Sequence, residues 1–251
     1  MSYQLRREEI VDVSALRAML EESPRKAAQA ILAAAGQGAI EAQLLLGQIL
    51  LDGRGIERDP ALARQWFAIA AAAGSPMACN MLGRCLELGW GGQQDLGLAA
   101  LNYRKAAETG LDWGLYNYAN MLGTGRGVSL DQAAALAAYR RAAELGHAKS
   151  MNLLGRYLEQ GIACQADALR ARRWYRRSAQ AGDFRGQFSH AAVLAEQGET
   201  EEALSWLLRA LAIGNANFLR SSIPVLEQAG EPRIRALAVR YRERLRQMQN
   251  G

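Results

Sequence analysis

The chain is poor in the residues that build reactive or metal sites. Its 251 residues include only three cysteines, two histidines and five prolines. Cys79, Cys85 and Cys164 are odd in number and follow no metal-ligand spacing, which speaks against a disulfide framework and a thiolate metal site. Neither His147 nor His190 has a cysteine or carboxylate nearby at ligand spacing, and no nucleophile–base pair stands out. Catalytic residues, cofactors and metals are therefore expected to be none. No run of about 18 apolar residues appears, so no segment is expected to span a membrane. Residues 1–10 hold no apolar signal-peptide core. These absences together favour a reducing cytosol. Proline is scarce against 25 glycines and half the chain is hydrophobic, the balance of tightly packed helices and not of a disordered chain. A net charge of +5 and a pI near 9.3 permit an acidic partner without demanding one.

What is present is periodicity. Gly38, Gly74, Gly110, Gly146 and Gly182 recur every 36 residues. Between them other positions repeat in step: Leu46-Gly47, Leu82-Gly83 and Leu154-Gly155; Gly53 and Gly55, Gly89 and Gly91, Gly125 and Gly127; Asp59, Asp95, Asp131 and Asp167; Ala63, Ala99, Ala135 and Ala171; then Phe67, Tyr103, Tyr139 and Tyr175. Equal steps of this length are the mark of a repeat array.

This frame (Leu-Gly, Gly-x-Gly, Asp, Ala, an aromatic, Ala-Ala-x-x-Gly) resembles the Sel-one-like repeat, a relative of the tetratricopeptide repeat. The resemblance implies an all-α, right-handed superhelical α-solenoid of antiparallel helix pairs. Its secreted cysteine-rich members carry paired cysteines in successive repeats, a pattern this chain lacks. The expected organisation is N-terminal capping helices over 1–37, four 36-residue repeats over 38–181, a shorter tetratricopeptide-like repeat over 182–213 and C-terminal capping helices over 214–251.

Each repeat reads as helix A (40–52 in the first) and helix B (60–73). Gly53 and Gly55 stand where helix A must end in a left-handed residue. Asp59 and its equivalents precede helix B as N-caps. The fourth repeat breaks this frame at Gly161-Ile162-Ala163. At the ends, a helix over 7–22 presents Ile10, Leu16 and Leu20, Ser23 caps the helix that follows, Thr200 caps another, Pro224 interrupts the helix over 216–228, and the last helix buries Ile234, Leu237, Ala238, Tyr241, Leu245 and Met248. The repeated aromatics are core positions. His190 falls at the Leu46 position and packs at a helix interface, whereas His147 begins a repeat in a solvated turn.

The resemblance further implies that helix A lines a concave wall. Among its inward positions, Asn80, Asn117, Asn120 and Asn152 would line the groove, Arg84, Lys149, Arg156 and Arg185 would flank them, and Trp113 with Tyr116 would form an aromatic floor. Amides bind a peptide backbone by donating and accepting together, and cations suit carboxylates. The expectation is an adaptor that holds an extended, acidic or C-terminal segment of a partner protein. The plainer alternative is that these polar residues only solvate the groove. Two further readings stay open. One is an anionic-surface or nucleic-acid binder acting through Arg170, Arg172, Arg173, Arg176 and Arg177 with the arginines of the last helix. Trp174 and Tyr175, as core positions, lend it no stacking, and nucleic acid is disfavoured. The other is a weak hydrolase, for which no residues stand out.

Overall fold

The computed structural model describes residues 12–250, so Ile10 and the start of the first expected helix lie outside the described part. The described residues form helices and connecting turns, with no strand among them, as expected of an α-solenoid of helix pairs. The chain divides into two compact units, the first up to Leu130 and the second from Asp131.

In the first unit, α1 (Val13–Glu22), α2 (Pro24–Gly36), α3 (Ile40–Asp52), α4 (Pro60–Ala72), α5 (Pro76–Leu88), α6 (Leu96–Glu108) and α7 (Asp112–Thr124) each pack on the next, and α5 also packs on α7. In the second, α8 (Gln132–Glu144), α9 (Ala148–Gln160), α10 (Ala168–Gln180), α11 (Phe184–Glu196) and α12 (Thr200–Ile213) stack in the same way, and α9 meets α11. There α13 (Ala216–Glu227) pairs with α14 (Pro232–Asn250), which also packs on α12.

The repeated glycine and aromatic explain each other. A Cβ on Gly47 would lie 2.6 Å from the Phe67 ring, one on Gly83 2.7 Å from Tyr103, and one on Gly155 2.5 Å from Tyr175. The bare helix-A backbone is thus the seat of the helix-B ring. Phe67 and Tyr103 are fully buried and Tyr175 nearly so, each burial being worth about 1.5–3 kcal/mol. Where the ring carries a hydroxyl, helix A answers it: Tyr103 donates to Glu87 at 2.7 Å and Tyr175 to Glu159 at 2.9 Å. Phe67, which needs no acceptor, faces a repeat with Leu51 at that register.

The caps follow the same economy. Asp59, Asp95, Asp131 and Asp167 accept the backbone N–H of Leu62, Leu98, Ala134 and Arg170, contacts worth about 1 kcal/mol each. Three expectations about helix ends need correction. Ser23 occupies the cap of α2 but makes no side-chain bond; its ψ of 71° falls short of the 90–100° of the capping aspartates. Thr200 is the first helical residue of α12, and Glu199 holds the cap position. Pro224 lies inside α13, which runs on through it. The proline gives up its donor there but still accepts from Gln228 at 3.3 Å. In α14, Ile234, Leu237, Ala238 and Tyr241 are buried, but Met248 is exposed. That helix has 19 residues against 12 in α13 and outlasts it.

The irregular loop of the fourth repeat keeps the fold of the others. Gly161 has φ +68°, and Ala163 takes φ +54° at the register of Gly55, Gly91 and Gly127. It is the one non-glycine with positive φ among the described residues. A left-handed alanine is strained by about 1–2 kcal/mol, part of which glycine's looser unfolded chain offsets. Ala163→Gly is therefore expected to stabilise the protein by about 0.5–1 kcal/mol, read as a higher denaturation midpoint. A lower midpoint would show that the alanine methyl packs favourably there.

Candidate functional site: the A-helix faces

The expected site residues lie on α5 and α7 in the first unit and on α9 and α11 in the second. Their register is set by the turns that start each A helix. Ser75, Asp183 and Asn215 accept the N–H of Ala78, Gly186 and Phe218 from the cap of α5, α11 and α13. His147 does the same for α9. Its Nδ1 accepts from the Ser150 N–H at 3.3 Å and lies 2.9 Å from the Ser150 hydroxyl. His147 is buried, which corrects the expectation of a solvated turn histidine. His190 packs as expected: it is buried and meets Trp206 edge to face at 5.6 Å, and burial lowers its pKa.

The four asparagines do not form a single open row. Asn80 is buried, and its side-chain oxygen accepts from the Asn117 amide at 2.8 Å, joining α5 to α7. Asn152 is also buried and accepts from the Ser189 hydroxyl at 2.9 Å, joining α9 to α11 at the equivalent register. A buried amide needs a partner, and here each finds one on the next A helix. Asn117 and Asn120 stay half-buried at the surface.

The cations and aromatics are more open. Arg84 lies over the Trp90 ring, 5.0 Å from its centroid, with one guanidinium nitrogen 3.8 Å from the Met81 sulfur. Trp113 is 39% exposed and meets Tyr116 edge to face at 6.2 Å. Arg156 is exposed, and so is Arg185, which covers Phe184 at 4.7 Å. Lys149 is half-buried. Burial raises the pKa of Asp183, opposed by its bond from the Gly186 N–H and by the charges of Arg185 and Lys149. Arg84, Arg156 and Arg185 form no ion pair among the described residues.

Apolar depressions flank these polar stretches. In the first unit Leu44, Leu45, Met77 and Met81 line a cavity of about 410 Å³ edged by Arg17, Gln48 and Asp52. In the second unit another, of about 320 Å³, opens between α11 and α13. Phe188 and Ala192 of α11 border this second hollow.

On the B helices, Tyr175 is buried as expected, but Trp174 is only half-buried, with the Arg177 guanidinium 4.3 Å from its ring centroid. Arg209 covers Trp206 at 4.5 Å in the next repeat. Among the described residues, no three histidine, cysteine or acidic side chains converge as a metal site, all three cysteines are free thiols, and no helix is long and apolar enough to cross a membrane.

Comparison with known proteins gives a consistent likeness. A family model described as Sel1 repeat matches residues 40–75, 76–111, 114–147 and 148–183. The crystal structure of c5321, a protective antigen of uropathogenic Escherichia coli strains with an SLR fold, is 28% identical with a TM-score of 0.70. That match covers 92% of this chain, which spans only 52% of the antigen. A Sel1 repeat protein from Oxalobacter formigenes is 26% identical with a TM-score of 0.77, covering 94% of this chain and all of the other. The immunity protein Pa5087 from Pseudomonas aeruginosa shares the fold at 17% identity and a TM-score of 0.55, over 83% of this chain and 81% of its own. No curated protein matches significantly.

Proposed function

This chain belongs to the Sel1 repeat family, in general a family of protein–protein interaction scaffolds, and on that premise we propose that it is a non-enzymatic cytosolic adaptor whose A-helix faces hold an extended segment of a partner protein. In the first unit the binding residues would be Asn80, Arg84, Trp113, Tyr116, Asn117 and Asn120, and in the second Lys149, Asn152, Arg156 and Arg185. The observation that carries the reading is the set of uncommitted cations. Arg84 and Arg156 stand at equivalent positions two repeats apart, and neither has a carboxylate partner among the described residues. Exposed arginines that the fold does not neutralise favour a segment with acidic side chains or a terminal carboxylate. Asn80 and Asn152 act from beneath, holding neighbouring A helices together. The exposed edge of Trp113 supplies apolar contact.

The test is a pull-down with purified wild type beside Arg84→Glu/Arg156→Glu, with a nuclease-treated arm and circular dichroism on both proteins. The charge reversal is expected to abolish capture, a loss of at least about tenfold, and to leave the helical melt unchanged. Equal capture by both proteins would sink the A-face reading.

One observation favours a second reading. The half-buried Trp174 and Trp206, each beneath an arginine, give the outer B helices the aromatic surface that an anionic or nucleic-acid partner would use. Capture that nuclease removes, and that falls steeply with salt, would move the function there.

A further inference from the structure

We infer that the hollow between α11 and α13 takes one large apolar side chain of the partner segment, flanked by a basic residue. This rests on the A-face reading and gives the segment a chemical pattern. The hollow exists because the fifth A helix carries small residues at two registers, the first of which is small in no other repeat. Gln48, Arg84, Asn120 and Arg156 occupy that position in the first four repeats, and Ala192 occupies it in the fifth. One turn further on, Ala195 stands where Leu51, Glu87 and Glu159 stand, the third repeat having Gly123 there. Two long side chains are thus replaced by methyl groups, and the cleared space meets Val225 and Leu226 of α13 and Ile234 of α14.

The result is a cavity of about 320 Å³. A dry cavity of about 150 Å³ already accepts benzene, so this one has room for a phenylalanine, leucine or tryptophan side chain. Its wall is preformed. Phe188 borders it and is held edge to face against Phe218 at 5.7 Å, while Leu226 and Ile234 are buried and fixed. Val225 remains 56% exposed, so the apolar surface is open to an incoming group.

The rim sets the charge of what enters. Its ionisable groups are Glu196 and Glu231. Glu196 is 72% exposed on its side chain and only 4.0 Å from Arg172, a loose pair. Glu231 accepts the Arg233 backbone N–H at 3.3 Å. No lysine or arginine lines the hollow, and the nearby Arg235 guanidinium is taken up by the Ala229 and Gly230 carbonyls at 2.6 and 2.8 Å. Two carboxylates beside an apolar cavity suit an apolar anchor next to a lysine or arginine and repel one next to an acid. In the same unit Arg156 and Arg185 suit acidic residues, so the segment would carry both kinds of charge, with the apolar anchor on the basic side.

A random peptide library displayed on phage, selected on the full chain, tests this. Selected peptides are expected to share one large apolar residue with lysine or arginine beside it. As free peptides they should bind Ala192→Trp about 30-fold more weakly than wild type, since the indole fills the cavity from an exposed position and leaves the fold alone. Glu196→Lys/Glu231→Lys should weaken them about tenfold, and exchanging the peptide's flanking base for glutamate should restore binding. Enriched peptides without an apolar anchor, or with unchanged affinity for Ala192→Trp, would overturn the inference. If those peptides still lose binding on Arg84→Glu/Arg156→Glu, the A-face reading survives. A library with no enriched peptides overturns both.

Discussion

Gly91→Ala is expected to cost about 3 kcal/mol or more and to lower the thermal midpoint by about 6–12 °C. Two effects add. Gly91 sits at φ +73°, where a Cβ is strained by about 1–2 kcal/mol. An added Cβ would also lie 2.0 Å from the Pro60 carbonyl oxygen and 2.5 Å from its carbon. The obstacle is backbone, the first turn of α4, so relief requires the loop or the helix to move. Gly55 over Pro24 and Gly127 over Leu96 repeat the arrangement at 2.1 Å. The second glycine of each loop is therefore the place where one repeat rests on the B helix of the repeat before it.

Gly74→Ala separates the two effects. Gly74 has φ +92° with nothing within 4 Å of an added Cβ, so its substitution carries strain alone, about 1–2 kcal/mol. Circular-dichroism melts of the two variants should differ by at least about 1 kcal/mol. Equal losses would show that the overlap at Pro60 is relieved without cost. Ala163, at the Gly91 register, shows that one repeat accommodates the methyl, which is why the opposite exchange there is expected to stabilise.

The 36-residue spacing made the helices and their caps readable because each repeated residue has one local task. Aspartate binds the N–H groups of the turn after it, and glycine admits a left-handed turn or a ring. Tasks that depend on the adjacent repeat were harder to read. Asn80 and Asn152 have the spacing of surface residues, and only the reach of Asn117 and Ser189 from the next helix turns them into buried ties. His147 had a usable signal: it shares its register with Ser75 and Asp183, both capping types. Trp174 had one too. Its register holds Trp66, Asn102 and Ala138 in other repeats, a mixture unlike the uninterrupted aromatics at Tyr175's. The hollow beside Ala192 was the least readable, since a missing side chain becomes a cavity only when its neighbours decline to fill it.

The buried rings also set how the protein meets alkali. Tyr103, Tyr175 and Tyr241 all have pKa values pushed well above the tyrosine range, chiefly by burial. For Tyr103 and Tyr175 the carboxylates of Glu87 and Glu159 add to this, because they accept the hydroxyl proton and would repel a phenolate. Tyr241 donates to the Leu207 carbonyl at 2.7 Å. In the unfolded chain these groups ionise near pH 10. Folding raises the pKa, so the stability is complete below about pH 10 and drains away above it, as the unfolded chain releases protons that the folded chain retains. One such tyrosine contributes about 1.4 kcal/mol per pH unit, and three together about 4. Cys85, fully buried and pushed up to about 11, adds a loss that begins earlier, near the ordinary thiol range of about 8.5. Denaturant midpoints are thus expected to hold to about pH 8.5 and then fall steeply to about pH 11. Tyr103→Phe and Tyr175→Phe should each make the fall shallower by about 1.4 kcal/mol per pH unit, whatever they cost at neutral pH. Tyrosinate absorbance from these rings should appear only together with loss of helix. A flat stability curve, or phenolate forming in a chain that is still helical, would mean that the rings are less enclosed than their seats on Gly83 and Gly155 imply.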